Sequence, residues 1–129
     1  MAKKVKILLV EDTGSLLELY KTRFLLDNYE VLTAANGKEA IAIAKESEPN
    51  LYIVDIMLPD INGLKVIEIL KKLPENSNSG FIVLTALELQ EKKQEAEELG
   101  VDAFLVKSQI TLEDITRTAH EVLKKRNII

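Results

Sequence analysis

Ile53-Val54-Asp55-Ile56-Met57-Leu58-Pro59-Asp60-Ile61-Asn62-Gly63 places one carboxylate inside an apolar run and follows it with a turn-forming loop. An ionised carboxylate is costly to remove from water unless something pairs with it, so Asp55 is an accident, a capped turn or a chemical site. The residues leading into it, Leu51-Tyr52-Ile53-Val54, are apolar without alternation. That is the pattern of a central strand buried on both faces, and such strands belong to parallel sheets covered by helices.

Working outward, four more short runs rich in β-branched residues read as strands: Val5–Val10, Tyr29–Ala34, Phe81–Thr85 and Ala103–Val106, beside Leu51–Asp55. Between and after them lie helical patterns over Ser15–Leu26, Lys38–Ser47, Leu64–Leu73, Leu87–Leu99 and Leu112–Arg126. Asn36 and Thr111 each precede an acid by three positions, Glu39 and Asp114, the arrangement that satisfies orphan amides at a helix start. Pro49-Asn50, Asn62-Gly63, the stretch 74–80 and Gly100 mark breaks. Strict alternation of strand and helix predicts an α/β fold, a parallel sheet with helices on both faces.

With 129 residues the chain has the size of one domain, and no repeat, low-complexity tract or interdomain linker divides it. The expectation is a single domain over 1–129 with no effector domain in this chain. A net charge of −4 argues against a general nucleic-acid surface and favours a partner with a basic patch. The absence of cysteine removes disulfides and thiolate chemistry. Apolar runs are too short for a signal-peptide core or a membrane span, so a cytoplasmic location is the expectation.

The strand assignments converge on one sheet edge. Glu11 and Asp12 follow the first strand, Asp55 ends the third, Thr85 ends the fourth and Lys107 follows the fifth. In open parallel sheets the carboxyl edge is where sites form. Three acids supply hard oxygen ligands suited to Mg²⁺, and an Asp beside a cation can act as nucleophile toward a phosphoryl group. Lys107 would stabilise the charge on that group, and the Thr85 hydroxyl could bond one of its oxygens. Each residue also has a plain structural reading. Glu11 and Asp12 would suit the positive end of the following helix, Thr85-Ala86-Leu87-Glu88 has capping-box spacing, and Lys107 alone would be a solvated loop lysine. Mutual repulsion of the three acids in an empty site should raise at least one carboxylate pKa.

The motifs Leu-Leu-Val-Glu-Asp at 8–12, Asp-Ile-Met-Leu-Pro-Asp-Ile-Asn-Gly at 55–63, Val-Leu-Thr-Ala at 83–86 and Ala-Phe-Leu-Val-Lys at 103–107 stand in order along nearly the whole chain. In these the chain resembles receiver domains of the two-component response-regulator family. The resemblance implies a flavodoxin-like doubly wound (βα)5 fold of strand order 2-1-3-4-5. It implies Asp55 as phosphoacceptor, with Asp12, Asp55 and the Met57 carbonyl on Mg²⁺ and Glu11 holding metal-bound water. Thr85 and Lys107 would contact the phosphoryl group, and Phe104 would be the switch aromatic. The implied donor is a sensor histidine kinase, a phosphotransfer protein or a small phosphodonor, with self-phosphorylation and autodephosphorylation but no conventional turnover. Output would leave through the face formed by 87–99, 103–106 and 112–126, toward a protein target or a second copy.

The chain departs from the family at Lys107-Ser108, where a proline usually follows the lysine, often through a cis bond. The cis form costs about 2.5–4 kcal/mol before a non-proline residue, so the bond should be trans, and a trans bond should displace Lys107 from Asp55. A haloacid-dehalogenase-like phosphatase would want a second Asp where Met57 stands. A flavodoxin-like flavin carrier would not put the acids Glu11-Asp12 in its phosphate loop, and a phosphorylation-independent module would usually lack part of the site. His120 flanks the apolar stripe of the last helix and reads as solvated. Lys124-Lys125-Arg126 suits a helix carboxyl end. The segment 87–99 has the weakest apolar stripe of the five helices, which predicts a locally mobile element that begins immediately after Thr85.

Overall fold

The computed structural model describes residues 4–129. Short runs rich in apolar residues make the strands β1 (Lys6–Val10), β2 (Glu30–Ala34), β3 (Leu51–Val54), β4 (Gly80–Thr85) and β5 (Ala103–Val106), all parallel and ordered β2-β1-β3-β4-β5. The helices α1 (Gly14–Leu26), α2 (Gly37–Ser47), α3 (Gly63–Lys71), α4 (Gln90–Glu98) and α5 (Leu112–Lys125) alternate with them. This is the flavodoxin-like arrangement.

Each strand splits its side chains between two cores, as a period of two requires. Leu8, Val10, Tyr52, Val54, Phe81 and Val83 face α2, α3 and α4, whereas Ile7, Leu9, Leu51, Ile53, Ile82 and Leu84 face α1 and α5. The two acid-bearing loops, after β1 and after β3, are therefore held side by side by buried ladders. The Asp55 amide still donates to the Val10 carbonyl at 3.0 Å, and the Glu11 amide to the Ala34 carbonyl at 3.0 Å.

Helix starts follow the caps. Asn36 accepts from the Glu39 amide, and Thr111 and Asp114 close a full capping box. Asn62 caps α3 by accepting from the Leu64 amide at 2.8 Å. At the other sheet edge Asp102 accepts from the Phe81 amide at 2.8 Å and from both the Nε and Nη2 groups of Arg126, which pins the end of α5 to the sheet. Arg126 is thus a structural clamp as well as a favourable charge at a helix terminus. His120 is exposed on α5, as its position beside the stripe predicts.

The fourth helix corrects the sequence expectation. It starts at Gln90, not Leu87, and its N-cap residue is Leu89, with no side-chain cap. Thr85 does not cap it: Thr85 remains the last residue of β4, fully buried, with its hydroxyl accepting from the Leu87 amide at 3.3 Å. The capping-box spacing is outweighed by the pull of a strand residue into the core. Only Ala96 of α4 is buried, in keeping with its weak stripe. At the opposite extreme α1 carries leucines on several sides and leaves Leu19, Leu25 and Leu26 exposed. No helix among the described residues is long and apolar enough to cross a membrane.

Candidate functional site

Glu11 and Asp55 are buried, at 3% and 4% exposure, at the carboxyl edge of the sheet, while Asp12 is exposed at the mouth. One oxygen from each of the three carboxylates can be chosen so that all lie within 4.8 Å of one another. The two buried acids share one cation. Lys107 Nζ donates to Glu11 Oε2 at 2.7 Å and to Asp55 Oδ2 at 2.8 Å. The second oxygens are used as well: Asp55 Oδ1 accepts from the Met57 amide at 3.0 Å, and Glu11 Oε1 from the Thr13 amide at 3.2 Å. The plain reading of Glu11 as a helix-start acid therefore holds for one of its oxygens only.

The Lys107 geometry overturns one expectation. No peptide bond among the described residues is cis, so Lys107-Ser108 is trans as expected, yet Lys107 is not displaced from Asp55. The physical reason is local. Lys107–Gln109 forms a single 3-10 turn directly after β5, and the long lysine stem spans back to the sheet edge with its side chain 16% exposed. A flexible four-carbon side chain absorbs the difference that the backbone leaves.

Electrostatics follow from burial. Desolvation raises the Glu11 pKa above its ordinary value; the Lys107 bond and charge act against this, and the nearby Asp55 adds a smaller upward push. A raised carboxylate was expected, but from mutual repulsion; removal from water is the larger cause. For Lys107, desolvation acts downward, but the hydrogen bonds and charges of Asp55 and Glu11 outweigh it and hold the ammonium above its ordinary pKa. The ammonium is thus charged across the neutral pH range.

The remaining predicted residues lie around this centre. Met57 lies two residues past Asp55 in the loop, is 53% exposed, and donates its amide to Asp55 Oδ1. Thr85 sits at the end of β4, opposite Val106 in the ladder, and its hydroxyl makes no bond to the acids. Phe104 is half-buried on β5, opposite Val83, and packs against the core on the α4 side. It lines a surface groove with Leu89, Lys93 and Ile110.

The loop after β3 is held by backbone packing. The Gly63 amide donates to the Ile56 carbonyl at 2.8 Å, and a Cβ placed on Gly63 would stand 2.1 Å from the Asp55 carbonyl oxygen. Asp60 ties the same loop to α2, accepting from the Gly37, Ile61 and Lys38 amides at 2.7, 2.8 and 2.9 Å. Sequence reasoning did not single out Asp60, although an acid ahead of Asn-Gly was a visible turn signal. It also missed Tyr20, whose aromatic ring fills a position that helical periodicity marks only as core.

The donor set is all oxygen, with no imidazole or thiolate, and it fits a hard divalent cation rather than zinc. Asp12 and Met57, both exposed, leave the mouth open to solvent.

The sequence profile of the response regulator receiver domain matches residues 7–120. Among curated relatives, the probable transcriptional regulator ycf27 of Porphyridium aerugineum is 37% identical over 105 residues, covering 81% of this chain and 42% of that protein. Its counterpart from Cyanophora paradoxa is 39% identical over 104 residues, with coverages of 81% and 42%. The chain spans about two fifths of the length of these relatives. Among solved structures, a CheY-like response regulator receiver domain protein from Methanospirillum hungatei superposes with a TM-score of 0.91 at 27% identity, covering 97% of this chain and 98% of that one. The chemotaxis protein CheY4 of Vibrio cholerae gives 0.87 at 29% identity, covering 94% and 100%.

Proposed function

The chain belongs to the response regulator receiver domain family, and from that premise we propose that Asp55 accepts a phosphoryl group and that its aspartyl-phosphate switches the surface around α4 and β5. The observation that carries this reading is the pair of contacts at Asp55, with Lys107 Nζ at 2.8 Å and the Met57 amide at 3.0 Å fixing its two oxygens. A carboxylate fixed at both oxygens at an open sheet edge is oriented for attack. An Asp55 oxygen forms the new O–P bond while the bond from phosphorus to the donor's leaving group breaks.

Asp12, Asp55 and the Met57 carbonyl would hold Mg²⁺, with Glu11 on a metal-bound water; bound there, the cation supplies charge neutralisation for the transferring group. Lys107 then offers its ammonium to a phosphoryl oxygen. Thr85 lies one strand away, and turning its hydroxyl toward the phosphoryl group would release the Leu87 amide and loosen the segment before α4. Phe104 borders that segment through its groove with Leu89. The donor fits a histidine kinase, a phosphotransfer protein or a small phosphodonor. The reader of the switch fits a basic protein surface or a second copy, because α4 exposes Glu91, Glu95, Glu97 and Glu98.

Incubation with acetyl phosphate and Mg²⁺ adds one phosphate by intact mass, and Asp55→Asn abolishes the addition. Equal labelling of the variant would place the acceptor elsewhere.

A further inference from the structure

Tyr20 is a polar-tipped residue in an apolar place. It lies on α1 at 6% exposure, packed with Phe24 in the core that also holds Leu9, Ile53 and Leu84. Burial raises its pKa, so the phenol keeps its proton and remains a hydrogen-bond donor. Among the described residues its hydroxyl makes no hydrogen bond. The ring is buried while the hydroxyl oxygen is not fully sealed, since Arg23 Nε alone is both buried and unpartnered among the described side-chain atoms; a polar tip so placed is commonly satisfied by water.

Room for that water is present. A cavity of about 10 Å³ is walled by Tyr20, Glu11 and Asp55 together with Leu9, Ile53 and Leu84. That volume matches the centre space of about one water, and a buried water is retained where it has two to four polar partners. Tyr20 can donate one hydrogen bond to it. Glu11 and Asp55 can each accept one, because every carboxylate oxygen has a second lone pair beyond the bonds to Lys107, Thr13 and Met57.

We propose that Tyr20 is a positioning residue of the acid site, its hydroxyl holding the Glu11 and Asp55 carboxylates through a single water in this cavity. The contact reaches the acids from the α1 side of the sheet, whereas Lys107 bonds them from the loop after β5. Movement of either carboxylate on cation binding is therefore felt at the Tyr20 ring. The water contact stands on the cavity alone; its effect on cation binding rests on the reading of the acid cluster as a Mg²⁺ site.

The chain has no tryptophan and three tyrosines, which makes the ring its own reporter. Tyr52 stacks on Phe81 and donates to Asn76, and Tyr29 packs edge-on against Phe24, so neither lines the cavity. Titration of the whole chain with MgCl2 is expected to give a saturable tyrosine difference spectrum with the same midpoint as the calorimetric heat. Tyr20→Phe is expected to lose that spectrum and to bind Mg²⁺ about tenfold more weakly, the scale of outer-sphere substitutions at metal sites. Its melting temperature without cation should stay near that of the parent, because the ring is retained. A crystal structure of the metal-free protein at high resolution is expected to show one water bonded to Tyr20, Glu11 and Asp55. A dry cavity, or a Tyr20→Phe variant that binds Mg²⁺ as the parent does, overturns the proposal. Absence of any Mg²⁺ heat in the parent overturns the metal reading instead, and the crystallographic water then decides the Tyr20 contact.

Discussion

Lys107 Nζ reaches Asp55 Oδ2 at 2.8 Å from a position 52 residues further along the chain, on the far side of β4. The same ammonium bonds Glu11, so one lysine is shared by two buried carboxylates. Removing the cation of a buried ion pair leaves uncompensated charge, which is worse than never having built the pair. Lys107→Ala is expected to lower stability at neutral pH by about 3 kcal/mol, measured by urea unfolding, and added Mg²⁺ should recover part of the loss. A loss no larger than that of a surface lysine would show that the acids find water or protons instead.

Mass action gives a second expectation. If the acid cluster binds Mg²⁺ only in the folded chain, free cation at one hundred times its Kd stabilises the fold by about 2.7 kcal/mol. Asp12→Ala should remove most of that increment while leaving the cation-free stability close to the parent value, because Asp12 is exposed. Thermal melts over a Mg²⁺ series decide it, and a flat series for the parent counts against the site.

Asp60 sets the acid limb of stability near the β3 loop. Hydrogen bonds from the Lys38, Gly37 and Ile61 amides lower its pKa in the folded chain, with that from Lys38 the largest cause. The sign follows from linkage: the folded value lies below the unfolded value of about 3.9, so the contribution is complete above that pH and is lost as pH falls through the folded value. Asp60→Asn should therefore be less stable at neutral pH and should lose less of its stability on acidification. Parallel acid titrations of unfolding midpoint for the two proteins check this.

A buried polar relay fastens the other end of the sheet. Tyr52 donates to Asn76 Oδ1 at 2.8 Å, and Asn76 Nδ2 donates to the Leu70 carbonyl at 2.9 Å. Tyr52→Phe keeps the stack on Phe81 but leaves buried Asn76 Oδ1 with only the longer bond from Ser79 Oγ at 3.4 Å, and about 1.5 kcal/mol of stability should go with it. Phosphate uptake at Asp55 should be unchanged, since the relay lies away from the acid loops.

The proposed switch is testable without a kinase. Beryllofluoride with Mg²⁺ is expected to change amide exchange across 85–106 as well as at 55–63, and Thr85→Ala should confine the change to 55–63. Protection altered only around the acids in the parent would remove α4 and β5 from the signalling path.

What the chain's letters revealed, and what they hid, divides along a physical line. The strands, their parallel arrangement and the acid edge were legible because unbroken apolar runs such as Leu51–Val54 have few other uses, and a carboxylate at the end of one needs a reason; the strand order came from the family resemblance alone. The start of α4 was not legible, since Thr85-Ala86-Leu87-Glu88 satisfies a local capping rule while the burial of Thr85 is decided by its strand neighbours. Lys107 was misplaced for a similar cause. Backbone isomer preferences are local, but where an ammonium rests depends on two carboxylates fifty and more residues away. Tyr20 was invisible because periodicity distinguishes inside from outside and does not report what the hydroxyl at the end of a buried ring faces.

Every single-base missense change of a glycine codon yields a residue with a Cβ, and at Gly63 that atom would stand 2.1 Å from the Asp55 carbonyl oxygen. Codon 63 is therefore closed to neutral drift even though its residue contributes no charge, donor side chain or ligand. Backbone packing of the Asp55 turn thus constrains a position with no chemistry of its own, and a lineage that replaces Asp55 would be expected to keep Gly63 as long as it keeps the turn.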